Sequence, residues 1–276
     1  KSLSAQYFLP YLAHSTMEPV NCSADVSNGK CRIIGPIQFQ QGGQAVAAAA
    51  AGVKPEDVTI ETTFLGGGFG RKLELDFIRQ AAEISKAAGM PVKMLWSKED
   101  DITHDFYRPM SIHKVDGVLG ADGQLASMKA KMVSQSVTAR AFPGFVKDGF
   151  DPFMVEGSNN ITYEIPNLEI TNVITDTGLR VGYWRSVSNA LNAFAIESFV
   201  DEAAKAAGKD PVAYRMAALN KHPRAKAVLE MAVKKSGYVA GSKRFGVAQM
   251  ECYDTYSACI LELDSASKDT KVKKIT

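Results

Sequence analysis

The feature that most constrains this chain is the run Gly66-Gly67-Gly68-Phe69-Gly70. Before it, Val58 to Thr63 alternates with the period of two of a strand. After it, Leu73, Phe77, Ala81, Ile84 and Ala88 recur at helical spacing, and Gly89 ends that pattern ahead of Pro91. The order strand, glycine loop, helix follows. A glycine backbone tolerates neighbours that a Cβ would exclude, and unpaired N–H groups at a helix start favour anions. No Gly-Lys-Ser/Thr follows, so this is not a Walker phosphate loop, and the last glycine is misplaced for a dinucleotide fingerprint. From its residues alone the run reads either as a ligand loop or as a tight turn.

The remaining pattern mixes strands and helices. Residues 7–34 read as strands around an Asn28-Gly29 turn. In that two-residue turn Val26 faces Cys31 and Cys22 faces Gly35, so Cys22 and Cys31 read as buried free thiols, not a local disulfide. Gln44 to Ala51 reads as a short helix capped by Gly52, and Val92 to Trp96 as a short buried strand. Residues 112–136 alternate around Asp122-Gly123, and Ile170 to Ile174 forms a further strand. A helix around residues 194–207 puts Ile196, Phe199, Val200, Ala203 and Ala207 on one face. Asp210 and Pro211 supply the N-cap and first residue of another helix. Residues 224–235 are a fourth helix, and 253–263 and 272–275 are strands. Without a regular βαβ rhythm, the expected class is α+β. The Gly-, Phe- and Pro-rich stretch 142–160 is expected to be a long loop. A soft boundary is placed within 141–160, and Phe142, Phe145, Phe150 and Phe153 read as core or lid packing or as a hydrophobic funnel.

A net charge of only +2 gives no support to a nucleic-acid or acidic-membrane role. No apolar run approaches the ~20 residues needed to span a bilayer. The cysteines lack C-x-x-C spacing and the four histidines are scattered, so a zinc site or a resident iron–sulfur cluster is not expected.

The glycine run resembles the Gly-Gly-Gly-Phe-Gly motif of the xanthine oxidase and aldehyde oxidase family of molybdenum hydroxylases. Three further elements keep the family's order. Met17-Glu18-Pro19 resembles its Met-Glu-Pro element. Gln38, in Gly35-Pro36-Ile37-Gln38, stands where the family has a glutamine beside an oxygen ligand of the metal. Tyr183-Trp184-Arg185-Ser186-Val187 resembles the family's arginine loop. Gly70-Arg71-Lys72, Trp184-Arg185-Ser186-Val187 and Glu197-Ser198-Phe199-Val200-Asp201-Glu202 are most similar to the isoquinoline 1-oxidoreductase β-subunit and membrane-associated aldehyde dehydrogenase branch.

The resemblance implies an α+β molybdopterin-binding domain over 1–276, forming an internal portion of a large subunit. It implies a molybdenum pterin cofactor, expected in its cytosine dinucleotide form, that oxidises an aldehyde or N-heteroaromatic carbon with water-derived oxygen. Gln38, Gly67, Gly68, Phe69, Gly70, Arg185 and Ser186 would then bind the cofactor, with the N–H groups of Phe69 and Gly70 and the Gln38 amide as donors. Leu73, Trp184 and Val187 would line the substrate pocket, and no residue here would ligate the metal directly. Taken singly, Gln38 also reads as a polar turn residue, Arg185 as an exposed ion-pair partner and Trp184 as core. Leu73 replaces a glutamate of the purine-oxidising members, Glu169 an arginine and Val187 an aromatic residue, so a less polar substrate is expected than a purine. The family's Gly-Val-Gly-Glu base and Gly-Gln-Gly elements do not occur, so the catalytic glutamate is expected outside this chain. Electrons would leave through a small subunit with two [2Fe–2S] clusters and onward to a membrane-anchored cytochrome c. The alternative is clusters within the same gene product. A bacterial periplasmic or inner-membrane-associated location is expected, with the cytoplasm as the other option. A competing reading is a catalytically incomplete cofactor-binding or assembly module.

Overall fold

A computed structural model describes residues 1–264 and 270–276. The chain forms two compact units. The smaller comprises Tyr11–Pro109 and Thr177–Arg185, and the larger comprises Lys1–Pro10, Met110–Asp176 and Ser186–Thr276. The stretch 141–160, where the sequence places a soft boundary, lies inside the larger unit.

In the larger unit, β1 (Ser2–Leu9) opens a four-stranded sheet ordered β1-β6-β7-β8. Its other strands are β6 (Ser111–Leu119), β7 (Leu125–Ser134) and β8 (Asn167–Ile174). β6 alternates buried and exposed along its length, as one-sided burial requires. Onto it packs α5 (Ser188–Ala206), burying Ile196, Phe199, Val200 and Ala203. Phe199 leaves no room for a side chain at Gly117. Asp210 caps α6 (Pro211–Ala217) by accepting from Val212 and Ala213 N–H, as its sequence predicts. α7 (Pro223–Ser236) covers a second sheet ordered β11-β10-β9. That sheet comprises β9 (Phe245–Cys252), β10 (Thr255–Leu263) and β11 (Val272–Ile275). β9 is a strand that the sequence pattern does not predict.

The smaller unit is a two-layer sandwich. Its sheet runs β4-β3-β2-β5, from β2 (Asn21–Ser27), β3 (Lys30–Gly35), β4 (Val58–Thr62) and β5 (Val92–Leu95). Asn28 and Gly29, at φ +50° and +71°, turn β2 into β3 with the expected register. Cys22 and Cys31 are buried free thiols. α1 (Gln40–Ala51) carries β3 over to the parallel β4, and α2 (Asp76–Ala88) packs beside it. Their shared core comprises Ile33, Ala47, Ala48, Phe77, Ile78, Ala81 and Ala82. A short α3 (Lys98–Thr103) is capped by the Ser97 side chain.

Several expectations are corrected. Residues 7–34 are not continuous strand, because β1 ends at Leu9 and β2 begins at Asn21. α1 starts four residues before Gln44. β5 is an edge strand with Leu95 63% exposed, not a buried one. α2 begins at Asp76, and its buried face is Phe77, Ile78, Ala81, Ala82 and Ser85. Ile84 and Ala88 point to solvent and Leu73 lies in a separate 3-10 turn, Arg71–Leu73. The core reading of the phenylalanines fails for Phe142, Phe145 and Phe150, which are all exposed, although Phe145 makes edge contacts with Phe142 and Phe153. The stretch itself is not without order, since a short α4 (Val137–Ala141) precedes it and Met154 and Val155 are buried within it.

Candidate functional site

The glycine loop leaves β4 and enters the 3-10 turn, so strand, loop and helix occur in the expected order, with the turn inserted. Its conformation is held from three sides, all within the smaller unit. From below, the Gln38 carboxamide oxygen accepts from the N–H groups of Gly70 (3.3 Å) and Lys72 (3.2 Å). Two acceptor contacts settle which end of the amide is oxygen and leave Nε2 as the end that can donate to a ligand. A Cβ at Gly68 would stand 2.3 Å from that oxygen. The first reason for glycine here is thus the approach of Gln38, not of a bound molecule.

From one flank comes the Met-Glu-Pro element. Glu18 Oε2 accepts from Gly66 N–H (2.8 Å) and from Lys72 Nζ (2.5 Å), and Glu18 N–H donates to Gly66 O (3.0 Å). Burial works against the Glu18 carboxylate, yet the hydrogen bonds from Lys72 and Gly66 outweigh it and hold the group below its ordinary range. Met17 is almost fully exposed, so Glu18 is the structural member of that element.

From the other flank comes the arginine loop. Arg185 N–H donates to Phe69 O (2.7 Å), and the Arg185 guanidinium lies over the Phe69 ring at 5.3 Å. Two residues earlier, Tyr183 O presses on Gly70, where a Cβ would fall 1.6 Å from that oxygen. Gly70 also has φ +112°, so both space and backbone exclude other residues. Phe69 itself is left-handed at φ +53° and partly exposed.

Arg71 and Lys72, the two cations after the loop, are fully buried. Neither is a surface anion hook. Arg71 makes a two-pronged ion pair with Asp76 (2.9 and 3.0 Å) and lies between the rings of Trp96 and Phe106. Its Nε is 3.3 Å from Asp105 and 3.6 Å from Asp101. Burial pushes the Asp101 carboxyl up despite Arg71. Burial acts on Asp105 too, but there hydrogen bonds from His14 prevail and its carboxyl stays low.

The structure therefore brings Gln38, Gly67, Gly68, Phe69, Gly70 and Arg185 together. Leu73 follows directly in the 3-10 turn, half-buried, its N–H on Gly70 O. Trp184 Nε1 is buried with no hydrogen-bond partner among the described residues. Ser186 and Val187 belong to the larger unit, and both have positive φ, +74° and +51°. For a β-branched residue this is a strained backbone of the kind concentrated at functional sites. Glu169 belongs to the larger unit, on β8 opposite Lys129, 2.6 Å away. Sequence reasoning missed His14, Asp105, Arg71 and Lys72 as braces. Scattered charges carry no local signal until folding gathers them.

A molybdenum-bearing pterin group fits this arrangement on the chemistry of its donors. The Gln38 Nε2 and the exposed Arg185 guanidinium are donors suited to an oxygen-rich anionic group.

The family model described as "Molybdopterin cofactor-binding domain" matches residues 1–219. The chain is 30% identical over 232 residues to the isoquinoline 1-oxidoreductase subunit beta of Brevundimonas diminuta, covering 80% of this chain and 29% of the relative. It is 30% identical over 223 residues to a "Membrane-bound aldehyde dehydrogenase [pyrroloquinoline-quinone]" of Gluconacetobacter polyoxogenes, covering 78% of this chain and 29% of the relative. It thus spans less than a third of the length of either. Among solved structures, quinoline 2-oxidoreductase from Pseudomonas putida 86 superposes with a TM-score of 0.76 at 14% identity, covering 91% of this chain and 36% of that one. The likeness to that structure bears on the fold alone, whereas the family model extends over the glycine loop, Gln38 and the arginine loop. The chain belongs to the molybdopterin cofactor-binding domain family.

Proposed function

We propose that this chain is the cofactor-gripping part of a molybdenum oxidoreductase that hydroxylates an aldehyde or an N-heteroaromatic carbon with oxygen drawn from water. The observation that carries the reading is the locked Gln38 carboxamide. Its oxygen is engaged by Gly70 and Lys72, so its nitrogen is the end offered to a ligand beside Phe69 and Arg185. When bound, the molybdenum pterin, expected as the cytosine dinucleotide, would supply the two-electron oxidation. Gln38 Nε2 and the Phe69 N–H would donate to its oxygen-rich face, while the Gly70 N–H serves Gln38 instead. Gly67 and Gly68 would let that face approach, and Arg185 and Ser186 would hold the outer part. Leu73, Trp184 and Val187 would face the substrate, and an apolar Leu73 suits an aldehyde or a heterocycle better than a purine.

The general base would come from outside this chain, and electrons would pass to a small [2Fe–2S] subunit. No described helix is long and apolar enough to cross a membrane.

The test is purification of the full-length protein from its own host. Metal analysis should find stoichiometric molybdenum, acid hydrolysis should release a pterin with CMP, and an iron–sulfur companion should copurify. Gln38→Ala should lower molybdenum retention without unfolding the chain. Protein from molybdenum-replete cells that holds neither metal nor pterin would reject the reading. Molybdenum together with iron in the same polypeptide, and no companion, would reject the separate subunit.

A further inference from the structure

We propose that His14 is a positioning residue, an imidazolium held between the Asp105 carboxylate and the Tyr183 carbonyl that fixes the arginine loop against the glycine loop. That these loops serve a cofactor rests on the function proposed above, but the fastening itself does not.

His14 is buried at 5% exposure. Its backbone N–H donates to Asp105 Oδ2 at 2.6 Å, and its Nδ1 lies 3.0 Å from both carboxylate oxygens. On the far side of the ring, Nε2 lies 2.9 Å from Tyr183 O. An ionised carboxylate and a peptide carbonyl offer only lone pairs. Each ring nitrogen can bond its partner only by carrying a hydrogen, so the contacts require the doubly protonated ring.

The charged surroundings are consistent with this state. Asp105 also faces Arg71 Nε at 3.3 Å. Arg71 is in turn neutralised by Asp76 and approached by Asp101, which the field of Lys98 and Lys72 also reaches. Burial pushes the Asp105 carboxyl up, but hydrogen bonds from His14 and the charges of His14 and Arg71 outweigh it and keep the group low. The carboxylate therefore remains an acceptor on the Nδ1 side of the ring, as the peptide carbonyl of Tyr183 does on the Nε2 side.

The consequence falls on the arginine loop. Tyr183 O is held by His14 Nε2, and two residues on, Arg185 N–H is held by Phe69 O. A Cβ at Gly70 would lie 3.2 Å from His14 Nε2, so ring, carbonyl and glycine share one point. The backbone from which Arg185 extends over Phe69 is thus pinned at both ends of a three-residue span. A glutamine at position 14 has one donor end and one acceptor end. It would turn an acceptor either to the carboxylate or to the carbonyl.

Two measurements on the 276-residue chain test this without any cofactor. In protein labelled with 15N-histidine near neutral pH, long-range proton–nitrogen correlation should place both His14 nitrogens at protonated shifts. One unprotonated His14 nitrogen would overturn the imidazolium latch. In His14→Gln, exchange of the Arg185 amide should quicken by about tenfold, the loss of one charge-assisted hydrogen bond. The α2 amides of Ile78 to Ala82 should keep their protection. Unchanged Arg185 protection, or equal loss throughout α2, would overturn the positioning role. Failure to find molybdenum in the host protein would leave both measurements unaffected, so the two readings fail separately.

Discussion

Gly70 shows how much a single residue can carry in this protein. An added methyl would meet Tyr183 O at 1.6 Å, while the backbone already sits at φ +112°. Gly70→Ala should therefore cost about 3 kcal/mol or more, from left-handed strain plus displacement of the arginine loop. Gly89, at φ +66° with nothing within 4 Å, is the control. Gly89→Ala has only the strain to bear, about 1–2 kcal/mol. Chemical denaturation of both variants checks the difference, and equal losses would show that Tyr183 does not crowd Gly70. A second residue sets a pH dependence. His113 is buried on β6 with Nε2 on Ser111 Oγ at 2.9 Å, and burial pushes its pKa down to about 4. The unfolded chain takes up a proton near 6.5 that the folded chain refuses until about 4. This contribution to stability is complete above pH 6.5 and is lost as pH falls to about 4, at most about 3 kcal/mol. His113→Asn should flatten that part of the stability–pH curve. An unchanged slope between those limits would exclude His113 as its source.

At the scale of elements, α2 shows why periodicity names a helix more securely than it names its inner face. Phe77, Ala81, Ile84 and Ala88 satisfy a helical repeat, but so do Phe77, Ile78, Ala81, Ala82 and Ser85, and the sheet selected the second set. α1 shares in that selection, since its alanines and Gly43 let the two helices approach until Ile78 would touch a Cβ at Gly43 at 3.0 Å. Ile84→Lys should change stability by under about 0.5 kcal/mol, because the side chain is already at the surface. Phe77→Ala should cost about 3–5 kcal/mol through the cavity it leaves. Thermal melts of the two variants decide the matter, and a large loss for Ile84→Lys would mean that the buried face is misassigned.

Over the whole molecule, three carboxylates near the glycine loop already have cations or N–H donors. Glu18 is bound by Lys72 and Gly66, Asp76 and Asp105 by Arg71, and Asp105 also by His14. A general base must take a proton from the reacting group within hydrogen-bond reach, and these groups are committed to holding the loop. The 276-residue chain supplied with cofactor should therefore oxidise neither aldehydes nor N-heterocycles. Turnover by that chain alone would show that a group within it can serve as the base.

The sequence by itself determined the α+β class, the hairpin at Asn28-Gly29, the Asp210 cap, the strand before the glycine loop and the family to which that loop belongs. Each of these rests on local information: a period, a turn dipeptide, a capping side chain, or motifs in order. Tertiary structure alone decided what the motif residues touch. Glycine at 68 and 70 answers to Gln38 and the Tyr183 carbonyl, 30 and 113 positions away. Arg71 and Lys72 carry no local sign of burial, yet they are interior because Asp76, Asp105 and Glu18 converge on them. His14 looked like one of four scattered histidines until folding set it between Asp105 and Tyr183. Burying such charges is favourable only when partners arrive together, and no stretch of sequence shows which distant residues will arrive.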